Sequence, residues 1–303
     1  MMRFMNTLGA ADSGFGTKPT SGGKNCRGAD RDALAYGFSL LRGKRPSMED
    51  THSVVQRDGV ACFGIFDGHG GAAASEYLRE NLFNTLLEEA GPSTSTGGGS
   101  LRSGSGAGGA AGAAEVERCI VGTFRKVDSA YLKASGVMRD DGSTATTAIV
   151  VDNRVLYVAN TGDSRTVLGK RNGAAVQMSV DHKPGDPGER RRVEAAGGIV
   201  LFAGTWRVGG VLAVSRAFGD RSFKQFVIPD PDVRRHEIDA AADECVILAT
   251  DGLWDVVSNE DAVKIAHGIE DAERAATKLC EVAYERGSFD NVSVIVVRFP
   301  PPP

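Results

Sequence analysis

Three aspartates, Asp67, Asp251 and Asp290, each stand at one end of an apolar run that is typical of a buried strand. Carboxylate oxygens, backbone carbonyls and water are the ligands that Mg²⁺ and Mn²⁺ prefer, and Gly68 would let the backbone approach an ion closely. Taken alone, an Asp-Gly dipeptide is more often part of a turn. Three carboxylates that share this placement favour a metal site instead.

The strands that would position these aspartates are the apolar runs 60–66, 245–249 and 292–297. Two earlier runs, 34–41 and 52–56, also predict strands. Shorter runs separated by turn signals predict more antiparallel strands, at 143–151, 155–160, 166–168 and 174–178. Helical spacing and capping signals predict helices at 71–89, 115–134, 187–196 and 271–286, and one that begins after Ser258. This order favours an α+β sandwich that is covered by helices.

The composition argues against several classes of protein. Lys and Arg total 35 against 39 for Asp and Glu, so the net charge is −4, and no basic block predicts a nucleic-acid partner. No apolar stretch approaches the roughly 20 residues of a membrane helix, and the N-terminus lacks the apolar core of a signal peptide. The five cysteines are scattered without CxxC spacing, which predicts reduced thiols in an intracellular protein.

Segments rich in Gly and Ser delimit the predicted domain. Residues 1–30 are interpreted as a disordered tail, with an organellar transit peptide as the open alternative. Residues 91–114, almost wholly Gly, Ser, Ala and Thr, predict a flexible insertion. Because one aspartate of the expected metal site precedes this insertion and two follow it, we predict one discontinuous domain over residues 31–299, with 300–303 as a C-terminal tail.

Eight short segments carry the charged and small residues of greatest chemical interest. They are Arg45-Pro46-Ser47-Met48-Glu49-Asp50, Phe66-Asp67-Gly68-His69-Gly70-Gly71, Gly142-Ser143-Thr144-Ala145, Gly162-Asp163-Ser164-Arg165, Asp181-His182-Lys183-Pro184, Leu212-Ala213-Val214-Ser215-Arg216-Ala217-Phe218-Gly219-Asp220, Asp251-Gly252-Leu253-Trp254-Asp255 and Asp290-Asn291-Val292-Ser293. In this order they resemble the metal-dependent serine/threonine protein phosphatases of the 2C class. The resemblance covers about residues 34–299, and the segment 205–212 is similar to that of land-plant members.

The resemblance implies an α+β fold of four layers, α-β-β-α, in which two packed antiparallel sheets are flanked by pairs of helices. It implies that Asp67 bridges two Mn²⁺ or Mg²⁺ ions, with the Gly68 carbonyl on one ion and Asp251 and Asp290 on the other. Asp255 matches the position of a third, weaker metal site. These expectations concern the ions; four further residues are expected to act on the substrate or on bound water.

Arg45 matches a phosphate-binding arginine, whose planar fork can bond two phosphate oxygens at once. His69 matches a general acid that protonates the departing serine or threonine oxygen. Glu49 and Asp50 match residues that act mainly through metal-bound waters. In the implied reaction, a hydroxide that bridges the two ions attacks phosphorus in line, without a covalent enzyme intermediate.

The implied function is that of a monomeric protein-serine/threonine phosphatase acting on phosphoproteins in the cytoplasm or nucleus. One alternative is a pseudophosphatase that acts as a binding module, although its expected signature, the loss of a metal aspartate, is absent. Another is a two-metal hydrolase of small phosphate esters, since the metal chemistry alone does not fix the substrate.

Other charged residues are given structural interpretations or left open. Asp163 and Arg165 predict an ion pair within one turn, and the arginines 190–192 predict a solvated helix face. The partner of Asp255 in the third metal site stays open between Asp140 and Asp141, because Arg139 stands where many members of the family carry that acid.

Overall fold

The computed structural model describes residues 18–24, 34–90, 109–134 and 139–302. The strands are β1 (Thr20–Lys24), β2 (Ala35–Leu41), β3 (Thr51–Arg57), β4 (Val60–Phe66), β5 (Gly68–His69), β6 (Gly142–Ser143), β7 (Ala145–Val151), β8 (Val155–Thr161), β9 (Arg165–Lys170), β10 (Ala175–Gln177), β11 (Val200–Ala203), β12 (Thr205–Val208), β13 (Phe218–Gly219), β14 (Asp232–Glu237), β15 (Asp243–Ala249) and β16 (Val292–Arg298). The helices are α1 (Ala73–Glu89), α2 (Gly109–Ala134), α3 (Pro187–Ala195), α4 (Asp251–Trp254), α5 (Asn259–His267) and α6 (Ala272–Glu285).

Two large antiparallel sheets contain most of these strands. The first has the order β1-β2-β16-β15-β9-β10 and the second has the order β14-β8-β7-β4-β3. A small sheet, β13-β6-β5, and the hairpin β11-β12 complete the pairing. The mixed fold of antiparallel sheets and helices agrees with the predicted α+β class.

Alternation along β4 explains why this strand is buried on both faces. Phe63 and Ile65 belong to a core cluster that also contains Val246 and Leu248 of β15, a strand of the other large sheet. Cys62, which points to the opposite face, belongs to a cluster with α1 and α2. The other face of β15 packs against α5 and α6 in a third cluster. Each of the two strands β4 and β15 therefore shares one cluster with the other and a second cluster with helices.

The predicted tail over residues 1–30 is wrong for β1, because Thr20–Lys24 pairs with β2. A Cβ on Gly22 would lie 2.8 Å from the Phe38 ring, so the small residue allows the strand to approach its neighbour. The Ser21 hydroxyl also donates to Glu273 Oε1 at 2.8 Å. The composition that suggested disorder is thus suited to close strand packing. The rest of that predicted tail, 1–17 and 25–30, lies outside the described residues.

The predicted insertion over residues 91–114 is too long at its C-terminal end, because α2 begins at Gly109. Four of the six residues from 109 to 114 are alanines, and alanine is the strongest helix former. Residues 91–108 lie outside the described part of the chain. Among the helices that the structure describes, none is long and apolar enough to cross a membrane.

Candidate metal centre and active site

The three predicted metal aspartates come from both large sheets. Asp67 follows β4 directly, Asp251 is the first residue of α4 after β15, and Asp290 lies two residues before β16. Because β15 and β16 are paired and share a core cluster with β4, one end of the sheets gathers all three carboxylates. The sequence-based expectation that these residues share one region of the molecule therefore fits the topology.

The electrostatics of this region are those of crowded like charges. Burial, and then the neighbouring carboxylates of Asp50, Asp251, Asp163 and Asp290, raise the pKa of Asp67 well above its ordinary value. Burial and four nearby carboxylates raise the pKa of Asp251 in the same way. A divalent cation would relieve this repulsion, so the charge and the oxygen-only donor set fit a hard metal ion.

Two acids of this region, Asp290 and Asp50, have protein partners. Arg45 Nη2 donates to Asp290 Oδ2 at 2.5 Å, and the Ser293 hydroxyl donates to Asp50 Oδ2 at 2.7 Å. Within the described residues, no three His, Cys, Asp or Glu side chains stand together as a ready-made metal cage. The residue types and charge therefore fit an ion, and an ion at Asp290 would compete with Arg45 for that carboxylate.

Gly68 occupies a position that no larger residue could take. A Cβ at this residue would lie 2.5 Å from the Glu49 carbonyl oxygen and 2.9 Å from the Ser75 hydroxyl. Gly68 lies in β5, opposite Ser143 of β6, so the backbone after Asp67 is held by strand pairing as well as by close packing. The carbonyl expected to meet an ion thus belongs to a fixed segment.

Glu49 and Asp50 lie in the loop between β2 and β3, directly before β3. Glu49 Oε2 accepts from the Gly71 N–H at 3.1 Å, and the Glu49 N–H donates to Asn291 Oδ1 at 2.9 Å. Asp50 is 4 % exposed, and burial raises its pKa to about 7 although the Ser293 hydroxyl bond opposes that shift. Both acids are therefore oriented by contacts to the segments that carry Asp67 and Asp290.

His69 has a carboxylate partner that sequence analysis missed. Its Nε2 lies 2.9 Å from both carboxylate oxygens of Asp220, which is 1 % exposed. Burial lowers the pKa of His69, but Asp220, Asp163 and Asp141 outweigh burial and raise it above its ordinary value. A Cβ on Gly142 would lie 2.3 Å from Asp220 Oδ2 and 2.4 Å from His69 Nε2, so this pair requires glycine beside it.

The predicted ion pair between Asp163 and Arg165 is wrong. Arg165 instead binds Asp181, with Nε to Oδ1 at 2.9 Å and Nη2 to Oδ2 at 2.6 Å. Asp163 is 7 % exposed, and its pKa is raised to about 6, mainly by burial and against the opposing charge of Lys183. Among the neighbouring charges, that of Asp163 does most to raise the pKa of Asp251. Asp163 therefore belongs, with Asp50, Asp67, Asp251 and Asp290, to one acidic cluster.

Asp255 lies at the exposed margin of the cluster. Its side chain is 63 % exposed, and Lys183 Nζ lies 3.6 Å from Asp255 Oδ1. Asp141 accepts from Tyr131 Oη at 2.7 Å and from the Ala74 N–H at 2.8 Å, and Asp140 accepts from the Ser222 N–H at 2.8 Å. These contacts engage both candidate partners of Asp255 elsewhere, whereas Asp163 shares the neighbour Lys183 with Asp255.

The predicted solvated face of α3 is wrong for Arg192. Its guanidinium donates to Glu189 Oε2 at 2.8 Å and to the carbonyls of Ser215 and Phe226, each at 2.6 Å. Arg216 also binds Glu189, with Nη2 to Oε1 at 2.7 Å. Burial alone would raise the pKa of Glu189, but these two arginines lower it to about 2. This charged network fixes α3 to the segment that leads to Asp220.

Comparisons with known proteins converge on one family. A family model described as Protein phosphatase 2C matches residues 34–292. The chain is 47% identical over 275 residues to "Probable protein phosphatase 2C 76" of Arabidopsis thaliana, covering 89% of this chain and 60% of that protein. It is 49% identical over 271 residues to "Probable protein phosphatase 2C 52" of Oryza sativa subsp. japonica, covering 88% of this chain and 50% of that protein.

A solved structure gives the same indication for the fold. The crystal structure of serine-threonine phosphatase 2C from Toxoplasma gondii superimposes with a TM-score of 0.75 at 25% sequence identity, covering 93% of this chain and 100% of that one. The chain therefore shares an architecture with this solved structure and spans 50% to 60% of the length of the two plant relatives.

Proposed function

Because the chain belongs to the protein phosphatase 2C family, we propose that it hydrolyses phosphoserine and phosphothreonine in proteins with Mn²⁺ or Mg²⁺. The observation that carries this proposal is the convergence of Asp67, Asp251 and Asp290 beside Arg45 and His69. Phosphoryl transfer needs cations near the phosphate and a proton donor near the leaving oxygen. This region can supply both.

Two ions would be held by Asp67, the Gly68 carbonyl, Asp251 and Asp290, with Glu49 and Asp50 orienting bound water. A third, weaker site would use Asp255, with Asp163 as its proposed partner; the charges of both carboxylates on Lys183 support this pairing. When bound, such ions neutralise charge and acidify a water molecule so that it can attack phosphorus. The raised pKa values of Asp67 and Asp251 support the need for that compensation.

Arg45 would bind the substrate phosphate. Its side chain is 55% exposed, so an incoming phosphate can reach it, although its present partner is Asp290. If Asp290 turns toward an ion, the guanidinium is released to bond two phosphate oxygens. The ion pair between Arg45 and Asp290 therefore links metal binding to phosphate binding.

His69 would hold the proton that the leaving oxygen requires. Asp220 accepts a hydrogen bond from His69 and favours its charged form, which keeps a proton available close to neutral pH. Asp220 acts through His69, so it is a positioning residue. Asp220 has a φ of 45°, in the left-handed region that few residues other than glycine, asparagine and aspartate adopt.

We also propose the finer features of the molecule on the same family basis. The core clusters on both faces of β4 and β15 support four layers of α-β-β-α order within one domain over residues 31–299. A monomer in the cytoplasm or nucleus is the simplest setting for an enzyme that meets many phosphoproteins.

A substrate panel tests the proposed function. The protein, loaded with Mn²⁺, would be assayed on phosphothreonine and phosphoserine peptides, nucleotides and sugar phosphates, with and without a chelator. We expect phosphate release from the peptides to be much faster than from the small esters, and chelator to abolish it. Preference for nucleotides or sugar phosphates would contradict the proposal, and peptide binding without release would favour a pseudophosphatase.

A further inference from the structure

An exposed aromatic ring stands beside the candidate metal centre. Phe289 is 76% exposed and directly precedes Asp290. Lys44 Nζ lies 4.1 Å from the centroid of the Phe289 ring and 5.5 Å from that of Tyr284. Lys44 in turn directly precedes Arg45, the partner of Asp290. Two consecutive residues of one loop therefore meet two consecutive residues of another.

The sheet register explains this double contact. Leu41, the last residue of β2, lies opposite Val292, the first residue of β16, so the loop after β2 meets the turn before β16. Asn291 Nδ2 donates to the carbonyls of Arg42 and Ser47 at 2.8 Å and 3.0 Å. These bonds fix both ends of the loop, including the segment that carries Lys44.

The loop also approaches the turn too closely for most residues. Gly43 has a φ of 63°, and a Cβ there would lie 2.4 Å from the Asp290 carbonyl oxygen. Lys44 follows this constrained glycine, so the contacts that place Arg45 also direct Lys44 toward Phe289. The position of the ammonium is therefore built into the loop, rather than being left to a long free side chain.

Lys44 and Arg45 differ in how their charges are compensated. Arg45 is paired with Asp290, whereas Lys44 forms no ion pair with any other residue in the described ranges. Contact with an aromatic face holds an ammonium in place but leaves N–H groups free to donate to an anion. The rim of the centre therefore presents an oriented cation above an exposed ring.

We propose that Lys44 and Phe289 form a substrate subsite for an anionic side chain, a carboxylate or a second phosphate, close to the phosphorylated residue. This inference rests on the proposed function, because Arg45 is taken to hold the reacting phosphate. Residues of an extended peptide are spaced by about 3.3 to 3.6 Å, so a group at Lys44 would lie within about three positions of the residue at Arg45. The Phe289 ring would cover the aliphatic part of that side chain.

A peptide series tests the subsite. One phosphothreonine peptide with alanine at its flanking positions is compared with versions that carry a single glutamate at each position from three before to three after the phosphothreonine. At the preferred position, a version with a non-hydrolysable phosphonate analogue of phosphoserine then distinguishes a carboxylate from a second phosphate, because the enzyme would cleave phosphoserine itself. The ratio of kcat/KM for each anionic peptide to that for the alanine peptide is measured for the wild type, Lys44→Ala, Lys44→Glu and Phe289→Ser.

For the wild type we expect a ratio of about threefold to fivefold at one or two positions, the size of an exposed ion pair, and a smaller ratio at high salt. Lys44→Ala should bring the ratio to about one, and Lys44→Glu should bring it below one. Phe289→Ser should lower the ratio partly, because the Lys44 ammonium loses the aromatic ring that holds it in place. Lys278→Ala is the matched control: it removes another exposed lysine, one that pairs with Glu281 on α6, and should keep the wild-type ratio.

A wild-type ratio of one at every position, or an unchanged ratio in Lys44→Ala, would overturn the subsite while leaving the proposed phosphatase function intact. Failure of the wild type to hydrolyse any phosphopeptide would instead overturn the proposed function. A glutamate preference that Lys278→Ala removes as completely as Lys44→Ala would reduce the effect to net charge and would also contradict the subsite.

Discussion

The acidic cluster and the charged network of Glu189, Arg192 and Arg216 at α3 both bury charged groups, but the charges are compensated only in the network. In the centre, burial and neighbouring carboxylates raise the pKa of Asp67 and Asp251. At α3, two arginines lower the pKa of Glu189 to about 2 against the effect of burial. The comparison teaches that buried charges with opposite partners serve the fold, whereas buried charges of like sign are typical of a site that binds a ligand.

The largest expected effect comes from removing one charge of the centre. Asp67→Asn should lower kcat/KM by roughly 1000-fold or more, because metal binding is lost. In chelator, the same variant should resist denaturant at least as well as the wild type, since one repelling carboxylate is gone. Phosphatase assays and chemical unfolding measure the two effects. Retained activity, or marked destabilisation in chelator, would show that Asp67 serves the fold rather than metal binding.

At Glu189 of α3 we expect a loss of stability instead. Glu189→Gln should lower the free energy of unfolding by about 3 kcal/mol, because Arg192 and Arg216 lose the partner that compensates their burial. The matched control is Glu194→Gln, which removes an exposed pair with Arg190 and should cost less than about 0.5 kcal/mol. Equal effects of the two variants in urea unfolding would remove the structural role of Glu189.

The pH dependence of stability sharpens the same point. The folded-state pKa of Glu189 lies below its ordinary value of 4.5, at about 2. Its contribution is therefore fully present above about pH 4.5 and is lost as the pH falls through about 2. The difference in unfolding free energy between wild type and Glu189→Gln should shrink over that interval. A difference that stays constant between pH 5 and pH 2 would argue against this compensation.

A smaller effect is expected at the pair of His69 and Asp220. Asp220→Asn should lower kcat by roughly 30-fold for an alkyl phosphate but much less for an aryl phosphate, whose leaving group departs without a proton. Asp140→Asn is the control, because Asp140 is exposed and, among the described residues, accepts from the Ser222 N–H alone. Steady-state kinetics on both substrates decide the matter: equal slowing of the two would exclude a role in proton transfer.

The smallest effect should come from Arg45. Arg45→Ala should raise KM by about tenfold with a lesser change in kcat, because it removes a contact made by the phosphate in both the ground state and the transition state. Arg79→Ala, at an exposed arginine of α1 that pairs with Glu80, is the control. An unchanged KM in peptide kinetics would remove Arg45 from phosphate binding.

The proximity of Asp67, Asp251 and Asp290 could be predicted, because each lies beside an apolar run that the sequence marks clearly as a strand. Asp220 could not be, since its bond to His69 spans 151 residues and depends on the small sheet β13-β6-β5. Asp163 was assigned to Arg165 because the two are close in sequence, whereas folding gives Arg165 to Asp181. Pairing between distant segments is what sequence spacing does not encode.

Composition misled in two places for a related reason. The Gly and Ser residues of β1 suggested a tail, yet Gly22 meets Phe38 in the sheet. The segment before residue 115 was taken as flexible, although its alanines begin α2. In both cases a small residue serves packing or helix formation, and the neighbours that decide between order and disorder lie elsewhere in the chain.

The most direct test of the central claim is a Mn²⁺ titration of phosphate release from a phosphothreonine peptide, run in parallel for the wild type and Asp251→Asn, with calorimetry of Mn²⁺ binding to both. We expect the wild type to bind Mn²⁺ and to release phosphate in step with occupancy, and the folded variant to lose both. Release that is independent of Mn²⁺, or full activity and Mn²⁺ binding in the variant, would contradict the assignment of the acidic cluster as the metal centre.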